Sequence, residues 1–265
     1  MDKTYAASAD IVVLPYHEPA GPLGFLPIHA YLIKGKEAVL VETGIYTHTE
    51  DFLESLWAEV APDELRWVMI SHEDMDHAGG LAAILAAAPR ARLVLSFLAM
   101  LKYGRQDITT PDRVLIATAG QSITVGDRRF RVIRPPAYDS SASVGYFDEE
   151  TGSLFSADTF GGLVPQPTSD VDSIGAAYLE GSALFMSGNS SWLHDVDRDK
   201  FRQHVDVVRS LDPEVVLPSH GAPLKGRTRE LCDHLESLPA REPFRFPDDA
   251  GFRAMLEEMK ARQAA

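Results

Sequence analysis

Seven residues of this chain have the types and spacing of a metal site: His72, Asp74, Asp76, His77, Asp139, Asp158 and His220. The first four lie within residues 71–80. Residues 65–70 before this run are mostly apolar, partly alternating and include β-branched side chains, and they predict a strand, whereas residues 81–86 after the run predict a helix. A turn between a strand and a helix can direct alternate side chains into one cavity, which a continuous helix or strand cannot do for five successive positions. The spacing therefore predicts metal ligands on a loop.

The other three candidates each follow a predicted strand. Asp139 comes after residues 130–135, Asp158 after 154–156 and His220 after 215–217. A site for two ions needs about six or seven donor groups, and a carboxylate that bridges both ions lets them lie about 3.5 to 4 Å apart. The candidates supply enough donors for such a dinuclear site.

Two of the acids have alternative interpretations. Residues 138–141 have the ordinary composition of a turn, so Asp139 is either a ligand or a turn residue. Asp74 is either a ligand or a solvated loop acid. We favour ligation for both. Glu42, after the apolar residues 38–41, is interpreted as an acid that orients a ligand histidine or the turn.

Composition limits the partners and the location. The 265 residues carry 25 Lys and Arg against 39 Asp and Glu, a net charge of -14. This acidity disfavours nucleic acid, because a negative surface repels phosphate. The single cysteine, Cys232, permits no disulfide within the chain, and no apolar stretch is long enough for a signal peptide or a bilayer span. We expect a cytoplasmic protein with no membrane partner.

The pattern of elements predicts an α+β fold. Hairpins are predicted within 122–133 and 143–156, where two strand-like runs flank short polar turns. Helical spacing of apolar residues predicts further helices at 49–60, 198–211, 228–238 and 251–260. Thr49 is predicted to be an N-cap. Hairpins flanked by helices indicate two sheets packed between helices, in a single domain over residues 1–265.

Two segments are less regular than the rest. Residues 161–195 are rich in Gly, Pro and Ser and predict either a lid over the metal site or a surface excursion with a short helix. Residues 239–265 predict a helical tail, and its apolar side chains pack either on this domain or on a partner.

These motifs resemble those of the metallo-β-lactamase superfamily. The usual ligand run there is His-x-His-x-Asp-His, and residues 72–77 match it except that Asp74 replaces the second histidine. Residues 42–44 resemble the Asp-Thr-Gly element that precedes the run, and residues 154–159 resemble the strand that carries a bridging aspartate. The resemblance spans residues 28–221 and implies a four-layer αββα sandwich in which Asp158 bridges two ions.

The acidic second ligand resembles the flavodiiron and oxygen-binding diiron branch of that superfamily. The branch usually has Glu at the position of Asp74, and His nineteen residues before the bridging aspartate, where this chain has Asp139. The resemblance implies one ligand set of His72, Asp74, Asp139 and Asp158, and another of Asp76, His220 and Asp158. His77 is an additional candidate ligand of the second ion. In some members of the branch, the matching histidine stays off the metal.

The donors favour iron over zinc. Four aspartates and three histidines give the site a charge of about -4, which offsets most of the charge of two divalent ions. Oxygen-rich donors suit iron or manganese, whereas zinc prefers more imidazole or thiolate. We therefore expect two metal ions, with iron preferred and manganese or zinc left open.

Two classes of function are consistent with such a site. In the first, which the resemblance implies, a non-haem diiron centre binds, senses or reduces dioxygen or a related small oxidant. Flavodiiron proteins receive electrons through a flavodoxin domain, but only 45 residues follow His220 and they contain no Gly-rich phosphate loop. We therefore expect a separate electron-donor protein.

In the second class, the protein is a hydrolase. A metal-bound hydroxide, oriented by Asp76 as the catalytic residue, attacks a small-molecule ester, lactone, thioester or amide. Acidic ligands make the ions weaker Lewis acids, so this hypothesis is the alternative. A homodimer, and a site that binds metal only for stability, are also left open.

Overall fold

A sheet of seven strands forms the first half of the fold within residues 2–104 and 111–263, which the computed structural model describes. The strands are numbered in chain order, and across the sheet they are β1 (Tyr5–Ala6), β2 (Ile11–Leu14), β5 (Ala30–Ile33), β6 (Ala38–Val41), β7 (Leu65–Met69), β8 (Arg92–Leu95) and β9 (Val114–Ile116). Strands β6 to β9 run parallel, and the others pair antiparallel. Parallel neighbours need crossovers, and the helices between them are α1 (Thr49–Glu59), α2 (Leu81–Ala87) and α3 (Phe97–Gly104).

The second sheet belongs to the later part of the chain. Across the sheet its strands are β10 (Ser122–Val125), β11 (Arg128–Ile133), β12 (Gly145–Asp148), β13 (Ser153–Phe155), β14 (Val215–Leu217) and β15 (Leu224–Lys225). Only β13 and β14 pair in parallel, and between them the chain forms α4 (Ala176–Asn189) and α5 (Arg198–Leu211). The remaining strands and α-helices of the described residues are the small pair β3 (His17–Pro19) and β4 (Phe25–Pro27), and helices α6 (Thr228–Ser237) and α7 (Asp249–Gln263). Both predicted hairpins are present, as β10–β11 and β12–β13.

Alternation along the strands gives each sheet two buried faces. In β6, Val39 packs between the sheets, whereas Leu40 packs with residues of α1, α2 and α3. In β14, Leu217 packs between the sheets, whereas Val216 packs with residues of α4, α5 and α6. The layers are therefore helices, sheet, sheet and helices, and the predicted α+β sandwich of type αββα is confirmed.

Some predictions about helices need correction. Thr49 is the first residue of α1 and not its N-cap, because its hydroxyl donates to the carbonyl of Tyr46 at 2.9 Å and does not accept from the helix. Residues 161–195 contain α4, a helix of 14 residues, so the prediction of a surface excursion with a short helix is wrong. Tyr178 and Met186 of α4 are fully buried against the second sheet.

Helix α3 was not predicted, because its apolar residues do not follow a single helical face. Phe97 and Leu101 are exposed, whereas Ala99 and Tyr103 are buried. The predicted helical tail 239–265 contains α7, and its last two residues lie outside the described ranges. In the part of the chain that the structure describes, no helix is both long and apolar enough to span a bilayer.

Candidate metal centre

All seven predicted ligands lie on loops that leave the carboxyl ends of strands. The run 71–80 follows β7, and the loops with Asp139, Asp158 and His220 follow β11, β13 and β14. Strands β13 and β14 are parallel, and β11 points the same way because two antiparallel pairings separate it from β13. These loops therefore meet at one edge of the sandwich. Three overlapping groups of potential ligands result there, and together they contain all seven residues.

His72 is the centre of the first cluster. Its Nε2 lies 3.6 Å from Asp139 Oδ1, 3.7 Å from Asp158 Oδ2 and 3.9 Å from Asp74 Oδ2. Ligand bonds of about 2.0 to 2.2 Å place neighbouring donors about 3 to 4 Å apart. The first cluster therefore has the dimensions of a site for one ion.

Asp76, His77 and His220 form the second cluster. Asp76 Oδ2 lies 3.6 Å from His220 Nε2 and 3.8 Å from His77 Nε2. Asp158 Oδ1 lies 3.0 Å from His77 Nε2 and 3.3 Å from His220 Nε2. Asp158 therefore presents Oδ2 to the first cluster and Oδ1 to the second, which is the arrangement that a bridging carboxylate requires.

Buried polar atoms in these clusters lack hydrogen-bond partners. They include His72 Nε2, His77 Nδ1 and Asp158 Oδ1, even though Asp158 Oδ1 is close to two ring nitrogens. An unpaired buried polar atom costs about 1 to 3 kcal/mol, so such atoms are rare without a ligand. His72 Nε2 and Asp158 Oδ1 both face other potential ligands. The residues present therefore fit metal cations.

Hydrogen bonds from outside the clusters orient the histidines. His220 Nδ1 lies 2.7 Å from the carbonyl oxygen of Pro27, which can only accept, so Nδ1 carries the proton and Nε2 keeps its lone pair. His72 Nδ1 lies 2.9 Å from Ser71 Oγ. Glu42 Oε1 lies 3.6 Å from His77 Nδ1, the kind of position predicted for an orienting acid. Glu42 has a φ of 64°, a strained conformation of the kind found at functional sites.

The electrostatics of the clusters shift several pKa values. Burial raises the pKa of Asp139, and the carboxylates of Asp158 and Asp74 raise it further, to about 7. Burial would also raise the pKa of Asp158, but His72 and His77 outweigh this effect and hold it well below its usual range. Burial would lower the pKa of His77, but Asp76, Asp158 and Glu42 outweigh it and raise that pKa. A nearby cation would relieve this concentration of negative charge.

Two glycines let the ligand loops pack closely. A Cβ on Gly79 would lie 2.1 Å from the backbone nitrogen of Tyr46 and 2.4 Å from the carbonyl oxygen of Met75. A Cβ on Gly161 would lie 2.7 Å from Cβ of His220. Neither position accommodates a side chain without moving a ligand loop.

Sequence reasoning missed the side chains that α4 and its neighbours bring to the site. Asn189 Nδ2 donates to Asp158 Oδ2 at 2.9 Å, and the ring of Phe185 lies 4.8 Å from that of His220. Trp192 Nε1 donates to the carbonyl of Tyr138 at 2.7 Å. The spacing of Phe185 and Asn189, four residues apart on one helix face, was the only signal in the sequence.

A second missed feature ties two ligand loops together. Glu73, between the potential ligands His72 and Asp74, accepts a hydrogen bond from Ser140 Oγ at 2.8 Å and forms an ion pair with Lys102 of α3. Ser140 directly follows Asp139 in the chain. The network therefore joins the loop after β7 to the loop after β11, on the side of the first cluster.

The model of the family described as ODP family beta lactamase matches residues 26–221. The chain belongs to this family. The matched residues include all seven potential ligands, and the predicted membership of the metallo-β-lactamase superfamily is confirmed.

Relatives of this family member include flavoproteins. The type A flavoprotein fprA of Rhodobacter capsulatus is 26% identical over 213 residues, which cover 79% of this chain and 48% of that protein. The chain thus spans about half the length of that relative. The resemblance to the flavodiiron branch is confirmed.

Solved structures share the fold. Rubredoxin oxygen:oxidoreductase from Desulfovibrio gigas superimposes with a TM-score of 0.80 at 16% identity, covering 91% of this chain and 63% of that one. A mutant flavo di-iron protein from Thermotoga maritima gives a TM-score of 0.77 at 22% identity, covering 88% and 60%. The four-layer sandwich is therefore the architecture of these proteins as well.

Proposed function

We propose that this protein holds a non-haem diiron centre and uses it to bind, sense or reduce dioxygen or a related small oxidant. The observation that carries the proposal is the pair of clusters joined by the two oxygens of Asp158. Proteins of the same fold are named a flavo di-iron protein and a rubredoxin oxygen:oxidoreductase, which supports the same chemistry here.

His72, Asp74 and Asp139 would hold the first iron, Asp76 and His220 the second, and Asp158 would bridge the two. His77 would complete the second site through Nε2, which is 3.8 Å from Asp76 Oδ2. Carboxylates outnumber imidazoles in this set, and hard oxygen donors suit iron better than zinc. Two bound ferrous ions would supply two electrons on oxidation to the ferric state.

The protein's own contribution is the unequal exposure of the side chains in the two clusters. The side chains of Asp74 and Asp139 are 44% and 26% exposed, whereas His72 and Asp158 are enclosed. Asp76 of the second cluster is also 26% exposed, so a small oxidant would approach from the side of the exposed aspartates of both clusters. Phe185 packs on the ring of His220 and covers that histidine.

Residues 161–195 are proposed to act as a lid in a single domain with the ligand loops. Phe185, Asn189 and Trp192 from this segment contact His220, Asp158 and the backbone next to Asp139. Such contacts would exclude water from the buried side of the centre. This supports the lid interpretation of the segment.

The electron donor is proposed to be a separate redox protein. Met75 lies between the potential ligands Asp74 and Asp76, and 58% of its surface is exposed. An exposed methionine is an adaptable contact for a partner surface. A donor that docks at this loop would come within a few residues of both clusters.

Oxygen uptake by the reduced protein tests the proposal. Iron-loaded protein is reduced chemically without oxygen, the reductant is removed, and oxygen is added in steps while the visible spectrum is recorded. We expect about one oxygen molecule per pair of irons, since two ferrous ions supply two electrons. Turnover of aryl esters, lactones or thioesters at about 1 to 1,000 per second, with no response to oxygen, would contradict it and favour the hydrolase.

A further inference from the structure

Asn189 is the last residue of α4 and lies beside Asp158, far from it in sequence. Its Nδ2 donates to Asp158 Oδ2 at 2.9 Å. The amide must present its nitrogen, because an ionised carboxylate only accepts. The side chain of Asp158 is 3% exposed, so water does not compete for this hydrogen bond.

The hydrogen bond makes the two oxygens of Asp158 different. Oδ2 faces His72 and receives the Asn189 amide, whereas Oδ1 faces His77 and His220 and has no hydrogen-bond partner. Hydrogen bonds to a ligating carboxylate fix its orientation and tune its donor strength. A donor on Oδ2 reduces the donor strength of that oxygen more than that of Oδ1.

The position of Asn189 is fixed by the packing of α4. A Cβ on Gly181 would lie 1.9 Å from the carbonyl oxygen of Leu163, so the helix contacts the chain just after Asp158 with no space between them. Tyr178 Oη donates to the carbonyl of Phe160 at 2.5 Å. The packing of the helix therefore places Asn189 beside Asp158.

We propose that Asn189 is a positioning residue that turns the two oxygens of Asp158 toward different metal ions and weakens Oδ2 as a donor. The inference rests on the proposed diiron centre. It follows that Asn189 raises the reduction potential of the ion next to His72, because the bridging oxygen of that ion donates less charge.

Two variants of the 265-residue chain remove the donor with little change in size: Asn189→Leu and Asn189→Asp. Met186→Ala is the matched control, since Met186 is buried in the same helix but packs in the core of the second sheet. Redox titration of the iron-loaded proteins, followed by electron paramagnetic resonance, measures both one-electron steps. The step that belongs to the ion next to His72 should fall in both Asn189 variants, further in Asn189→Asp because of its added charge, and should not move in Met186→Ala.

Cobalt binding separates this inference from the identity of the native metal. Metal-free protein is titrated with Co²⁺ alone, and Asn189→Leu should weaken one of two binding phases by about 10- to 100-fold. Unchanged cobalt affinities would overturn the positioning role whether or not the protein binds iron. Unchanged potentials in the Asn189 variants, with Met186→Ala folded normally, would overturn the effect on donor strength. Wild-type protein that binds cobalt in two phases but no iron would count only against the diiron centre.

Discussion

Two groups of buried charges in this protein have opposite characters. In the first group, Arg128 donates to Asp148 Oδ2 at 2.6 Å and also pairs with Asp10. Asp148 further accepts from Thr151 Oγ1 at 2.9 Å and from a backbone N–H, and Ser8 Oγ donates to Asp10. Each carboxylate oxygen there meets a donor of the protein, so the Arg128 group is closed.

The metal clusters form the open group. Aspartates gather around three histidines without a Lys or Arg contact to any of the ligand carboxylates among the described residues, and His72 Nε2 and Asp158 Oδ1 have no partner. Burial is similar in the two groups, with Asp148 and His72 both fully enclosed. A closed group stabilises the fold by itself, whereas an open group needs cations from outside. The difference identifies which buried charges belong to a ligand site.

The largest expected effect is the loss of both ions on replacing the bridge. Asp158→Ala should reduce the metal content from about two ions per chain to near zero, because both sites share this carboxylate. Elemental analysis of purified protein measures it, with the exposed Asp195→Ala as control. Full occupancy in Asp158→Ala would show that the clusters do not share a bridging ligand.

A smaller loss of metal is expected on replacing a residue of the first cluster. Asp139→Ala should weaken the first site and leave the second occupied, so that about one ion remains per chain. The same elemental analysis, together with the visible spectrum, distinguishes the two sites. An unchanged metal content and spectrum would mean that Asp139 is only a turn residue.

In the closed group, stability should change and metal content should not. Arg128→Leu leaves Asp148 buried without its cation, which should lower the free energy of unfolding by about 3 to 5 kcal/mol. Denaturant unfolding at neutral pH measures the change, and elemental analysis of the same variant should match wild type. Loss of metal on this substitution would mean that the two groups are coupled.

The smallest effect is the pH dependence of that difference. Burial would raise the pKa of Asp10, but hydrogen bonds from Arg128 and Ser8 outweigh it and lower that pKa. A carboxyl with a lowered folded pKa stabilises the fold above its unfolded pKa of about 3.9 and loses that contribution as pH falls through the folded value. The difference in the free energy of unfolding between wild type and Arg128→Leu should therefore become smaller below about pH 4. A constant gap from neutral pH to pH 3 would exclude a contribution from the Asp10 ionisation.

The sequence allowed prediction of the residues that the fold brings together, but not of their surroundings. Residues 72–77 lie in one run, and Asp158 and His220 each follow a strand, so local patterns were enough to find them. Asn189 and Lys102 reach the site only through the docking of α4 and α3. No pattern within one segment of the sequence predicts how α3 and α4 pack against the site.

The layers of the fold were predictable for a similar reason. Alternation in the hairpins and the apolar spacing in α5 are local features, and both are observed. Residues 161–195 were harder, because α4 is apolar on several sides and has no clear polar face. What stabilises this helix is the burial of Tyr178 and Met186 against the second sheet, and that packing is not visible in the sequence.

The central claim is that the open group holds two iron ions. Elemental analysis of protein expressed with abundant iron tests it most directly, with Asp158→Ala, prepared in parallel, as the blank. The account predicts about two metal ions per chain, mostly iron, in wild type and almost none in the blank. Two zinc ions per chain, or a metal content equal to that of the blank, would contradict it.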